Sequence, residues 1–325
     1  GDMLRTPLCD LLKIDAPIIQ APMGGAATGR LAAAASNSGI LGSIAALRMS
    51  ADTLRDEIEA AHERTNGSFA VNHGLTIFDE EAFQSTLDAR PAVISFALGD
   101  PGDLVARAHA AGAVVIQQVV TVRAAVHAAR NGVDIIVAQG TESGGNTGMI
   151  STLELVPLVV DAVWPVPVVA AGGIADGRGV AAALSLGAQG VNLGTRFLAS
   201  REAEIAEGWK EMIVAAGPGD IMKLDAWNAI FPPAPGDYAT VPSVIRTPFA
   251  ERVQAAWRAG TLDTEEMRRE IAIAAVAGRQ YELVAMAGQS VGMIDAILPV
   301  NEIVPRIVAE TVDALRAAGA AIVTT

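Results

Sequence analysis

The chain has 325 residues, 51% of them hydrophobic and 18% charged, a balance that excludes extended disorder. Its net charge of −13 argues against nucleic acid as a main partner, because phosphate backbones demand clustered Lys and Arg. No apolar run reaches the roughly 18 residues of a membrane helix, and the single cysteine, Cys9, allows neither an internal disulfide nor a cysteine-rich metal site.

Short apolar runs that read as strands begin at Ile18, Ile40, Phe69, Ala92, Val114, Asp134, Pro167 and Gly190. Helical spacing fills 52–64, 79–89, 103–111, 123–131 and 176–186 between them. Gly112, Gly132 and Gly187 mark helix stops, where a left-handed backbone is needed. Apolar strands alternating with helices mean a parallel sheet covered on its outer face. Repeated eight times, the unit predicts an α/β fold, a closed (β/α)8 TIM barrel.

After Thr195 the pattern breaks. Residues 196–300 exceed one ordinary unit by about 80 residues, on the face where barrels carry their chemistry. This stretch is predicted to be a mostly helical insertion after strand eight. Its run Phe231–Asp237 holds too many prolines for regular helix. An amphipathic helix then closes the chain, with Ile303, Val304, Ile307, Val308, Val312 and Leu315 on one stripe. Asn301 is the expected cap of that helix and Gly319 its stop. The predicted division is barrel strands over 3–200, an insertion or lid over 201–290 and a closing segment over 291–325.

Parallel barrels bind ligands at the carboxyl ends of their strands. There this chain reads Gln20-Ala21-Pro22-Met23-Gly24-Gly25, Asn72-His73-Gly74, Gln117-Gln118, Gln139 through Gly148, Ala171 through Gly177, and Asn192-Leu193-Gly194-Thr195. Gly172 and Gly173 let backbone approach a ligand closely. Their amides, with those of Gly194 and Thr195, are expected to converge on a phosphate. There is no P-loop, no strand-linked G-x-G-x-x-G, no H-E-x-x-H and no G-x-S-x-G. No metal site is expected. His62, His109 and His127 fall in predicted helices, whereas His73 follows the third strand on the catalytic face. Its ordinary pKa suits a proton-transfer role, although strand alternation turns it away if Asn72 faces inward. Asp225 and Tyr238 of the insertion are further candidates to touch substrate.

The segments APMGG, QGTESGGNTG, AAGGIADGRG, NLGTRF, SVIRTPF and AGQSVGMID together resemble the nitronate monooxygenase family, in order and over nearly the whole chain. Flavin-dependent enoyl reductases and NADH:quinone reductases share much of this pattern. The resemblance implies a barrel that binds FMN. It assigns Ala21, Pro22 and Met23 to the flavin ring, Gly24 to the cofactor site beside them, and Asn72, Gln118 and Gln139 to the ring's polar edges and ribityl chain. Gly144, Gly145, Gly172, Gly173, Gly194 and Thr195 would hold the phosphate.

The family's strand-six loop usually ends Gly-Gly-His-x-Gly, with the histidine as catalytic base. Here Asn146 stands in that place, and an amide takes no proton near neutral pH. The resemblance therefore implies oxidation of alkyl nitronates with O2, substrates that are already anionic. An alternative is an NAD(P)H-dependent flavin reductase of quinones or enoyl thioesters. A third reading, prompted by the missing histidine, is a low-activity FMN-binding protein. Asn146 and His73 are the candidate catalytic residues. The expected partner is a small-molecule substrate, with no nucleic acid and no membrane. A homo-oligomer is left open. One cysteine and no basic-then-apolar leader point to the cytoplasm.

Overall fold

A computed structural model describes residues 3–322; residues 323–325, the end of the predicted closing segment, lie outside the described residues. The expected strands form as β1 (Ile18–Gln20), β2 (Gly42–Ala45), β3 (Phe69–Gly74), β4 (Val93–Ala97), β5 (Val114–Val119), β6 (Ile135–Gln139), β8 (Val168–Ala171) and β9 (Gly190–Leu193), with a short β7 (Gly145–Thr147) after β6. They pair in parallel in the order β1-β9-β8-β6-β5-β4-β3-β2. A parallel bridge from Ile19 to Leu41 joins β1 to β2, so the sheet closes into a TIM barrel.

Alternation along each strand sorts the side chains. Ile135 and Val137 join the inner cluster with Ile19, Ile116 and Val169. Ile136 and Ala138 join the outer shell beneath the helices with Val115, Val168 and Val191. Helix Pro7–Leu12 contributes Leu8, Cys9 and Leu12 to the inner cluster. A Cβ at Gly190, where β9 starts, would lie 2.6 Å from Leu8, so this helix plugs the end opposite the strand-end loops. Cys9 is fully buried there as an apolar filler.

Helices Ala51–His62, Glu80–Ala89, Leu104–Ala110, Val122–Arg130 and Gly177–Ser185 match the expected spacing. Ser50, Asp79, Thr121 and Asp176 cap four of them by accepting from backbone amides, which satisfies donors a helix start leaves unpaired. Helices Gly29–Asn37 and Thr152–Val163 complete the alternation in two intervals for which the barrel predicts a helix without a marked span.

The stretch after β9 differs from a purely helical reading. Helices Glu207–Ala215, Pro248–Arg258 and Thr264–Val276 are joined by strands β10 (Ile221–Lys223), β11 (Val241–Ile245) and β12 (Ala285–Met286). β11 is central: it pairs antiparallel with β10 along one edge, and with β7 and β12 on the other. Leu224, Trp227, Val244, Phe249, Val253 and Met267 form a separate small core here. Phe231–Asp237 makes no α-helix, as its prolines require.

The closing helix runs Val300–Gly319. Its cap is not Asn301, which lies inside the first turn behind Pro299. Val300 is fully buried, and its amide donates to the Glu202 carboxylate at 3.0 Å. A residue about 100 positions away in sequence therefore supplies the cap.

Candidate active site

Each barrel strand contributes one inward-facing residue near its carboxyl end. Going round the barrel these are Ala21 just past β1, Ala45, Asn72, Ala97, Gln118, Gln139, Ala171 and Asn192, and all of them line one cavity of about 900 Å³. Ligand pockets span ~300–1,000 Å³. The floor is thus made of alanines, whose short side chains leave space above it, and of amide side chains. Asn72 Nδ2 donates to Ser95 Oγ at 2.8 Å, and Gln118 Nε2 donates to Gln139 Oε1 at 3.2 Å. Asn192 Oδ1 is buried and has no donor from the described residues. A buried acceptor without a partner is costly, so the floor favours a ligand that brings N–H or O–H groups.

The walls nearest the floor come from the glycine loops. Pro22, Met23 and Gly24 follow β1 in a turn closed by Ala26 N and Ala27 N donating to Met23 O, at 3.1 and 2.9 Å. The loop after β6 is pinned at several points. Thr147 Oγ1 donates to Gly140 O at 2.8 Å, and the Glu142 carboxylate accepts from Thr152 N at 2.9 Å. Lys223 Nζ donates to Thr141 O at 3.0 Å. Burial pushes the Lys223 pKa down to about 8, against the charges of Glu142 and Asp225.

Two of these glycines cannot be anything else. Gly172 has φ +114, and a Cβ there would lie 2.7 Å from Thr152 Oγ1. At Gly144 a Cβ would lie 2.6 Å from the Ala287 carbonyl carbon and the Gly288 nitrogen. Gly288 N donates to Thr195 Oγ1 at 3.0 Å, and Gln289 N donates to Glu142 O at 2.9 Å. The segment after β12 therefore clamps the loops after β6 and β9 together.

Every residue expected to contact a cofactor lines this one cavity: Ala21, Pro22, Met23, Gly24, Asn72, Gln118, Gln139, Gly144, Gly145, Gly172, Gly173, Gly194 and Thr195. Asn146 lines it too. His73 does not. Asn72 faces in, so its neighbour faces out, where His73 Nε2 lies 2.8 Å from Thr86 Oγ1 and its ring meets Phe83 edge-on at 5.1 Å. The Thr86 hydroxyl donates to Ala82 O, which leaves Nε2 to carry the proton in that contact. Burial pushes the His73 pKa down to about 4, with the charge of Asp79 opposing. The imidazole lines a smaller neighbouring cavity with Arg48, Ser50 and Asp79 instead, and packs there as a buried group outside the main cavity. Asp225 is occupied by Gln254 Nε2 at 2.9 Å. Neither it nor Tyr238 lies on the cavity wall.

Other wall residues were missed by sequence reasoning. Strand parity alone identifies Asn192, a polar residue inward on an otherwise apolar strand. Arg48, Glu204, Trp209, Trp227, Phe231 and Tyr281 complete the upper wall. Apart from Arg48, which follows β2, they come from the stretch after β9 and had no local signal, because its fold decides which side chains reach the cavity.

The family model described as nitronate monooxygenase matches residues 5–81 and 78–310. The (3aS,4S,5R,7aS)-5-hydroxy-7a-methyl-1-oxo-octahydro-1H-indene-4-carboxyl-CoA dehydrogenase of Mycobacterium tuberculosis is 40% identical over 217 residues, a match that takes in 66% of this chain and 61% of that protein's length. A probable nitronate monooxygenase of Staphylococcus aureus (strain Newman) is 34% identical over 69% of this chain and 76% of its own. Among solved structures, FabK from Thermotoga maritima superposes with a TM-score of 0.89 at 35% identity, covering 98% of this chain and 100% of that one. The protein is an oxidoreductase, and it belongs to the nitronate monooxygenase family.

Proposed function

We propose that the chain is an FMN-dependent oxidoreductase that oxidises alkyl nitronates with O2. The observation that carries the flavin is the floor: a ring of alanines and amides, with the orphaned Asn192 acceptor in it. Such a surface suits a flat ring whose edge carries N–H and C=O groups. The crowded glycines beside it suit a phosphate, since they present amides with no side chain in the way. By this reading Asn72, Gln118, Gln139 and Asn192 hold the ring edge and ribityl hydroxyls. Gly144, Gly172, Gly173, Gly194 and Thr195 hold the phosphate.

When bound, FMN supplies the electron transfer, including chemistry with oxygen that side chains lack. The chain's own part is to bind, orient and exclude water. Asn146 lines the cavity and orients the substrate by donating from its amide to a nitronate oxygen. No proton has to be removed, because a nitronate arrives already ionised. The insertion acts as the lid, its aromatic side chains shielding the floor from water.

A second reading is favoured by the size and aromatic character of the upper wall, larger than a small nitronate needs. It is also favoured by similarity to a protein named as a CoA-ester dehydrogenase and to FabK. In it the protein is an NAD(P)H-dependent reductase of quinones or enoyl thioesters, and again no protein base is required.

Anaerobic mixing of the purified protein separates the readings. Bleaching of the flavin band by a nitronate supports the first, and bleaching by NADPH the second. A bound flavin that neither donor bleaches leaves a low-activity FMN-binding protein. A colourless protein that takes up no added FMN overturns all three.

A further inference from the structure

We propose that Arg48 selects the second ligand of the cavity by holding a phosphate group at the ligand's far end, remote from the floor. The proposal rests on the second reading above, in which a phosphate-bearing ligand shares the cavity with the flavin. Arg48 is the only cationic side chain on the wall among the described residues, and Glu204 the only carboxylate. Glu204 is already engaged by Thr28 Oγ1. No ion pair or hydrogen bond holds Arg48 among the described residues. Its guanidinium lies over the Phe231 ring, 6.0 Å from the centroid, and Phe231 in turn packs on Trp227 at 4.6 Å. The ring contact uses none of the guanidinium N–H donors, which remain available as the fork that matches phosphate.

The backbone adds an independent observation. Met49 N donates to Ala46 O at 2.9 Å, closing a turn in which Arg48 is the third residue at φ +64. Glycine or asparagine is the ordinary occupant of that conformation. An arginine held there is strained, and strain of this kind gathers at binding sites.

The position separates this anion site from the glycine cradle. The cradle is built at the ends of β6, β8 and β9, whereas Arg48 follows β2, with β1 between β2 and β9. On a chain of net charge −13, a polyanionic ligand needs a local cation to approach the mouth. NADP(H) and a coenzyme A thioester share the required chemistry, a phosphate on the adenosine ribose at the end away from the reacting atoms.

The test uses the holoprotein and equilibrium binding, followed by calorimetry. NADPH is compared with reduced nicotinamide riboside, and coenzyme A with pantetheine. The wild type is expected to bind one phosphate ligand at least about tenfold more tightly than its phosphate-free counterpart, the scale of one or two charge-assisted hydrogen bonds. The pair that shows the preference identifies the source. Arg48→Gln abolishes the preference and Arg48→Lys keeps part of it. Arg48→Gly relieves the turn, so it raises Tm while also abolishing the preference, which a merely structural role for the arginine would not do. Equal binding of both members of each pair by the wild type overturns the proposal. So does a preference that survives in Arg48→Gln, or a coloured wild type that binds neither phosphate ligand. Flavin absorbance in the same samples reports separately on the FMN reading: colourless protein refutes that reading, and coloured protein without the preference refutes only the role of Arg48.

Discussion

Asn146 of β7 lies opposite Pro242 of β11 in an antiparallel ladder. The barrel loop that carries Asn146 is thereby fixed to the insertion by backbone pairing, with Val241 opposite Thr147 and Ser243 opposite Gly145. The identity of the side chain at 146 can change without moving the chain that carries it. Asn146→His should therefore place an imidazole on the same wall, with a pKa suited to removing a proton near neutrality. General bases contribute ~10²–10⁴-fold. The expected outcome is at least about a tenfold rise in kcat/KM for neutral nitroalkanes, with a smaller change for the corresponding nitronates. An equal change for both, or none, counts against the reading of Asn146 as a lost base.

The glycines of the cradle divide into two kinds. At Gly194 a Cβ would find only Met23 Sδ at 3.6 Å and Ala21 Cβ at 3.8 Å, ordinary contacts on the cavity side. Gly194→Val is expected to leave Tm within a few degrees of wild type and to purify without flavin. At Gly172 the positive φ and the 2.7 Å approach of Thr152 Oγ1 oppose any side chain. Gly172→Ala is expected to lower stability by about 1–3 kcal/mol as well. Absorbance ratios and thermal melts check both variants. A Gly194→Val protein with a full flavin complement would remove the cradle.

His73 makes stability depend on pH. In the unfolded chain it binds a proton below its ordinary 6.5, and in the folded protein only below about 4. Its contribution is complete above pH 6.5 and is lost as pH falls toward 4, because protons are then bound more readily by the unfolded state. The interval corresponds to roughly 3 kcal/mol. His73→Gln keeps a donor for Thr86 and removes the titration, so its stability should fall less between pH 6.5 and 4. Its turnover should survive, since the ring lies outside the cavity. Urea unfolding across this range measures the first effect; a large loss of activity would return His73 to the list of catalytic groups.

How much was legible beforehand depended on whether the signal was local. A strand buried on both faces and a helix with one apolar stripe declare themselves over a few residues. The eight barrel strands and five of the helices between them were readable for that reason. Two further helices carry composition that hides their apolar face. Gly29–Asn37 is rich in alanine, and Thr152–Val163 is apolar nearly all round and contains Pro157. Parity along a strand also decided that Asn72 faces the cavity and His73 does not.

What the amino-acid order determined by itself was the repeating strand–helix unit, the end of the barrel that would carry the site, and the glycine-rich loops placed there. The tertiary structure alone decided that β7 joins β11, that Glu202 caps the closing helix, and that Arg48 meets Phe231 at the mouth. Periodic burial is written into neighbouring residues. A pairing between short strands nearly 100 residues apart, or one side chain seated over another, leaves no local trace and exists only once the chain has closed around its core.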